Sequence, residues 1–229
     1  MKKALISIIL IINALNLVAQ EKHSFISLSA GTSVPVGKLQ SKTLPDGGFA
    51  QPGFTVSMEG AWFFKPWLGI GGSGGMNLHP VDVVSLEVEK LHNDPSLNSL
   101  IIRSEPYFSM GLYGGLFFNV PVREKISFTG KALGGVFYAQ TPYQLYKADY
   151  FMIGKNWYDI TSAGDYEGSF LVGAGLQYDL NDYVGFCLNG EFTYNQCEFD
   201  FLKLDGSTRT ENKTFTFVNV GLGVVFRMK

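Results

Sequence analysis

Three ionisable residues stand out because each interrupts a segment that otherwise alternates between apolar and small residues: Glu59, Lys131 and Glu191. Two carboxylates and one ammonium brought together away from water can form a buried ion-pair cluster, or, inside a membrane, a gate or proton path. Other chemistry is poorly provided for. Nucleophilic catalysis needs a nucleophile and a base within hydrogen-bond reach. The histidines are His23, His79 and His92, and neither of the last two has a serine at a spacing that a strand would bring to it. Asp82 and Asp94 lie near them, but two histidines with loop carboxylates make no recognisable metal-ligand pattern. No P-loop or Cys-x-x-Cys motif occurs. The expectation is therefore no catalytic, cofactor-binding or metal-ligating residue, and no cofactor.

Cys187 and Cys197 fall in what reads as one extended segment. Ten residues at about 3.3 Å each would part their Cα atoms by roughly 33 Å, too far for a disulfide. A denser signal is aromatic: Tyr143, Tyr146, Tyr150, Phe151, Trp157 and Tyr158 crowd one polar connection. They read either as a contact surface for a partner or as rings packed on a rim or girdle at a membrane interface.

The elements that must carry these residues are strands. Among 229 residues, 27 Gly, 19 Phe and 11 Tyr make a poor composition for helices. From Phe54 to Phe64 the even positions are Phe, Val, Met, Gly, Trp and Phe, while Thr55, Ser57 and Glu59 fall between them. The same dyad recurs at 26–30, 68–76, 108–122, 126–138, 170–180, 184–194 and 218–226, which makes eight strands. Lys65-Pro66-Trp67, Arg123-Glu124-Lys125 and Asn181-Asp182-Tyr183 are short turns that keep the apolar face on one side. Between the hairpins lie long polar connections at about 37–53, 78–105, 140–166 and 198–213. The second carries Val84, Val88 and Leu91 at helical spacing, which suggests a short helix or an extra hairpin.

The non-apolar face is rich in Ser, Gly, Thr and Asn and carries few charges. A water-facing exterior would be rich in Lys and Glu, so this face suits the cramped lumen of an eight-stranded barrel whose apolar face meets lipid. A soluble lipocalin-like barrel is the alternative with the same strand count. The expected fold is an all-β, eight-stranded antiparallel up-and-down transmembrane β-barrel, porin-like in its wall but filled by Phe63, Tyr107, Tyr113, Phe117, Leu133 and Phe137. Glu59, Lys131 and Glu191 then lie at comparable heights, roughly 16 to 23 Å above the short turns, and should meet inside.

Met1-Lys2-Lys3, the apolar run Ala4 to Leu15 and Leu17-Val18-Ala19 have the form of a secretory signal peptide at 1–19, leaving a barrel domain at 20–229. Without Lys2 and Lys3, the 18 basic and 20 acidic residues become 16 and 20, a charge of −4 that disfavours nucleic acid as a partner.

The run from Tyr107 to Gly135 resembles the central hairpin of the small outer-membrane β-barrel domain family of Gram-negative bacteria. Gly173-Ala-Gly-Leu-Gln-Tyr-Asp-Leu-Asn-Asp182 and Asn219-Val-Gly-Leu-Gly-Val-Val-Phe-Arg227 resemble it too. The chain departs from the family by ending Phe226-Arg-Met-Lys229 rather than on an aromatic. The resemblance implies an OmpA-type, generally non-enzymatic barrel in outer-membrane lipid and lipopolysaccharide, placed there by the barrel-insertion machinery. It transfers no active-site residue. Short turns and termini would be periplasmic and long loops extracellular. The expected role is structural or surface-binding, through an extracellular or secretion-system protein partner. A PorT-like accessory barrel of a secretion system is the alternative, and a lipid A-modifying enzyme a more distant one.

Overall fold

The structure, a computed structural model, describes residues 24–151, 153–202 and 208–228; the leader expected at 1–19 lies outside them. Eleven strands are defined: β1 (Ser24–Pro35), β2 (Gly53–Phe63), β3 (Leu68–His79), β4 (Leu97–Ser104), β5 (Tyr107–Arg123), β6 (Ile126–Gln140), β7 (Gln144–Tyr150), β8 (Gly154–Ile160), β9 (Gly164–Asp179), β10 (Val184–Leu202) and β11 (Thr208–Met228). Among the described residues one α-helix, α1 (Val83–Asn93), precedes β4, and a single 3-10 turn spans Gly37–Leu39. Eight strands close in the order β1-β2-β3-β5-β6-β9-β10-β11, each antiparallel to its neighbours. Closure is by β1 on β11, from Ser24 opposite Met228 to Pro35 opposite Phe217, so the barrel sheet has no free edge.

The dyad pattern sets the two faces. Odd-numbered residues such as Ser27, Thr55, Glu59, Ser109, Lys131 and Asn189 are buried in the lumen, while Leu28, Met58, Leu112 and Leu222 stand outside. At the short-turn end, Asn181 Oδ1 accepts from the amides of Tyr183 and Val184 at 2.9 and 2.8 Å, which holds the β9–β10 turn. Two apolar clusters fill the lumen. One is built around Phe25, Phe63, Phe117 and Val225 near the short turns. The other is built around Tyr107, Phe137, Phe215 and Phe217 toward the long loops.

At the long-loop end the second and third connections do not remain loops. β4, β7 and β8 pair with one another in that order and form a second sheet. Each runs directly into or out of a barrel strand: β4 into β5, β6 into β7, β8 into β9. The order β4-β7-β8 repeats β5-β6-β9, so the small sheet continues that part of the wall beyond a break. Pro106 and Pro142 lie in the break, where a ring without N–H cannot extend the ladder. The broken stretch is restitched by Thr141 N–H to Ala163 O at 2.9 Å and Glu105 N–H to Tyr143 O at 3.0 Å.

α1 covers this extension. Asp82 caps it by accepting from Ser85 N–H at 3.1 Å, and Glu87 Oε1 accepts from Ile102 N–H of β4 at 2.6 Å. The helix expected from Val84, Val88 and Leu91 forms, but its buried stripe differs: Leu86 is buried, whereas Val84 and Val88 face solvent. Two apolar stripes compete on this short helix, and the one holding Leu86 has Leu100 and Ile102 beneath it.

Candidate functional site

Two places gather chemistry: the lumen between the two apolar clusters, and the cap formed by α1 with β4, β7 and β8. In the lumen the structure brings Glu59 of β2, Lys131 of β6 and Glu191 of β10 together. Lys131 Nζ donates to Glu191 Oε1 at 2.6 Å and to Glu59 Oε2. Glu59 Oε1 also accepts from Ser27 Oγ at 3.1 Å and Asn189 Nδ2 at 3.3 Å. Lys131 and Glu191 are two strands apart, with Gly173 of β9 opposite both. A Cβ at Gly173 would stand 2.8 Å from Lys131 Cε, so the missing side chain is what lets the lysine lie across β9. Two carboxyl groups thus share one ammonium.

The six loop aromatics do not form one surface. Tyr146 is only 1 % exposed and stacks on Tyr158, with ring centroids 4.8 Å apart and planes within 6°. It packs among Phe49, Leu86, Leu100, Ile102 and Ala148, with Tyr150 and Tyr158 partly buried beside it. This corrects the reading of Tyr146 as a contact residue: it is the centre of the cap's own core. Burial raises the Tyr146 phenol above its ordinary range and lowers the ammonium of Lys90, which lies 4.7 Å from the ring centroid. The exposed members are Tyr143, Phe151 and Trp157.

Alternation along β4, β7 and β8 puts Ile101, Lys147 and Trp157 in one row across the other face, with Lys147 Nζ 4.9 Å over the Trp157 ring. Ile101 and Trp157 are both more than half exposed, and so are Phe151 and Ile153 at the β7–β8 turn. Ile101 and Lys147 escaped the sequence reading because their partner strands lie in different loops. The Lys42 ammonium and Ser85 hold the Asp82 carboxyl well below the usual carboxylate range.

The histidines are dispersed. His79 is buried at the end of β3, its Nε2 2.8 Å from Ser33 Oγ, and His92 lies in the last turn of α1. Gly71-Gly72-Ser73-Gly74-Gly75 has the letters of a nucleophile elbow, which the sequence reading passed over. It runs mid-strand in β3 with Ser73 buried in the lumen, not at a strand-to-helix turn.

Outside, the even-numbered positions of the eight barrel strands, from the short turns up to the level of Tyr194, carry no charged residue. Trp62, Phe128, Tyr178, Phe186 and Phe226 ring the short-turn end, and Phe54, Tyr166, Phe170 and Tyr194 the other, all exposed. A closed wall of this kind, with its polar residues turned inward and a charge-free apolar outer face, suits lipid rather than water. The chain has the architecture of an OmpA-type outer-membrane β-barrel. No family model and no curated protein matches it. Solved outer-membrane proteins are similar to it at low identity. Ail, the attachment invasion locus protein of Yersinia pestis, is 16 % identical with a TM-score of 0.46 over 91 % of this chain and 100 % of its own. A major outer membrane protein of Thermus thermophilus is 10 % identical at 0.47, covering 90 % and 99 %. Neisserial surface protein A is 10 % identical at 0.43, covering 91 % and 100 %. Likeness at this level bears on neither ligand nor activity.

Proposed function

We propose that this outer-membrane barrel is a non-enzymatic surface-binding protein whose cap recognises another protein outside the cell. In this reading the termini and short turns are periplasmic and the long loops extracellular. The observation that carries it is the cap: three strands and a helix with their own buried core hold Ile101, Trp157, Phe151 and Ile153 in water. A plain connection would need neither that core nor that exposure, whereas exposed aromatic and aliphatic side chains on a rigid sheet suit a protein interface. The two apolar clusters in the lumen favour anchoring over conduction. The separation of His79 from His92, with Ser33 the hydrogen-bond partner of the first, favours binding over hydrolysis.

The test is a pull-down from detergent-solubilised outer membranes and culture supernatant, comparing wild type with the double variant Ile101→Ser, Trp157→Ser. Both proteins must first show the heat-dependent gel shift of a closed barrel. A stoichiometric partner lost in the double variant supports the reading. If that partner is a translocon component, the PorT-like accessory role is the form it takes. Equal recovery by both proteins, or no partner, refutes the cap as the binding surface.

A further inference from the structure

The three-stranded sheet of the cap ends in two edges, and they differ. At the β4 edge α1 lies alongside, and Glu87 Oε1 already accepts from the Ile102 amide at 2.6 Å. β10 is guarded in the same manner where it leaves its neighbour: its pairing with β9 ends at Tyr194 opposite Phe170, and beyond that Asp165 Oδ2 accepts from the Glu198 amide at 2.8 Å. β8 forms the other edge of the cap sheet. It pairs with β7 from Gly154 opposite Tyr150 to Ile160 opposite Gln144, and among the described residues no strand pairs with its other side. Alternate residues of an edge strand direct their N–H and C=O groups away from the one partner they have, so β8 offers half a ladder to a further strand. Lys155, Asn156, Trp157, Asp159 and Ile160 along it are all exposed.

The charges on this edge name its partner. A lone lysine on an edge strand repels pairing, but β8 carries Lys155 and Asp159 at equal distances on either side of Trp157. Residues directly opposite each other in an antiparallel pair share a face of the sheet. A second β8 set about a two-fold axis through Trp157 places Lys155 opposite the partner's Asp159, Asp159 opposite the partner's Lys155, and the small Gly154 opposite the partner's Ile160. Centring the axis on 155 or 159 instead sets lysine on lysine or aspartate on aspartate, which is unfavourable. Asp159 also accepts from the Tyr143 phenol, and a carboxylate keeps acceptor capacity for an ammonium besides. We propose that β8 pairs with β8 of a second copy of this chain, antiparallel about Trp157, joining two three-stranded sheets into one of six. Such a contact is isologous and closes on itself. The Ile101–Lys147–Trp157 row then runs on into the partner's Trp157, covering a ring that is otherwise more than half exposed. β8 leads into β9 at one end only, so antiparallel pairing sends the two barrels away in opposite directions. With the long loops extracellular, the two copies belong to facing membranes. The contact uses the edge of the cap and stands apart from recognition of another protein by the face of its sheet.

The test uses the full-length barrel alone in phosphatidylcholine vesicles, so its result is independent of the pull-down. Every variant must first show the heat-dependent gel shift. Vesicles carrying the wild type should cluster, as read by light scattering, and protein-free vesicles should not. Lys155→Glu and Asp159→Lys should each weaken clustering by about tenfold, because two opposite-charge contacts become like-charge ones. Vesicles bearing Lys155→Glu mixed with vesicles bearing Asp159→Lys should cluster as the wild type does, since each reversed charge then meets its opposite. On mild oxidation Trp157→Cys should form a disulfide-linked dimer, whereas Lys155→Cys and Asp159→Cys, each displaced from its own copy along the strand, should not. Cys187 and Cys197 are buried and take no part. Wild-type vesicles that do not cluster overturn the proposal. Clustering that neither charge reversal weakens, a mixture of the two reversed variants that does not recover, or cross-linking at 155 or 159 equal to that at 157 overturns it as well.

Discussion

Replacing Lys131 by Met keeps the length of the side chain and removes its charge, leaving Glu59 and Glu191 facing each other in the lumen. The side chain of Lys131 is 6 % exposed and those of its partners 9 % and 6 %, so water does not replace the lost contact. Removing one member of a buried pair costs about 3 to 5 kcal/mol, a large part of the stability of an ordinary domain. Here one cation serves two carboxylates, which points to the upper end, while protonation of one carboxyl recovers part of the loss. At a urea m-value of about 2 kcal/mol/M the midpoint in micelles should fall by about 2 M. The triple variant Glu59→Gln, Lys131→Met, Glu191→Gln should be milder than the single one, because it leaves no bare charge. A single variant that unfolds at the wild-type midpoint, or a triple variant that is worse, refutes the mutual dependence of the three. Steady ion conductance of Lys131→Met in planar bilayers would make the lysine a plug and the barrel a gated channel.

Tyr146→Ala should loosen the cap by about 3 to 5 kcal/mol through the cavity it leaves, so limited proteolysis should cut within 83–104 or 144–160 while the heat-dependent gel shift of the barrel persists. Asp82→Ala removes the cap of α1 and should cost about 1 kcal/mol, whereas Lys42→Met should cost less because that ammonium is largely exposed. Since Asp82 titrates below its unfolded value of about 4, its contribution is complete above that pH, falls progressively below it and is gone once acid passes the lower folded value; a cap that loosens above pH about 4 by amide exchange in wild type, but not in Asp82→Ala, would contradict this. Cys187 and Cys197 are free and buried, so a maleimide should label two thiols per chain after denaturation without reductant, and fewer would reveal a bridge.

Strand period alone was enough for the barrel. A two-residue repeat with small polar residues on one face and large apolar ones on the other can be satisfied by a closed antiparallel wall in lipid, and counting from the short turns put Glu59, Lys131 and Glu191 at one height. That height is a local quantity, a rise per residue from a fixed end. Gly173 could not be read in the same way, because its meaning depends on lying opposite Lys131 on one side and Glu191 on the other.

The cap shows the limit most clearly. β4 pairs with β7 across forty or more residues of sequence, with a barrel hairpin between them, so no neighbouring residue announces the partner. The breaks holding Pro106 and Pro142 also reset the phase of the alternation, and with it which rings turn inward. Tyr143, Tyr146 and Trp157 are equivalent as letters in a polar stretch. Only the packing of α1 on β4, and of β7 between β4 and β8, buries Tyr146 and leaves Trp157 in water, because burial is a property of what lies across the sheet rather than of what lies along the chain.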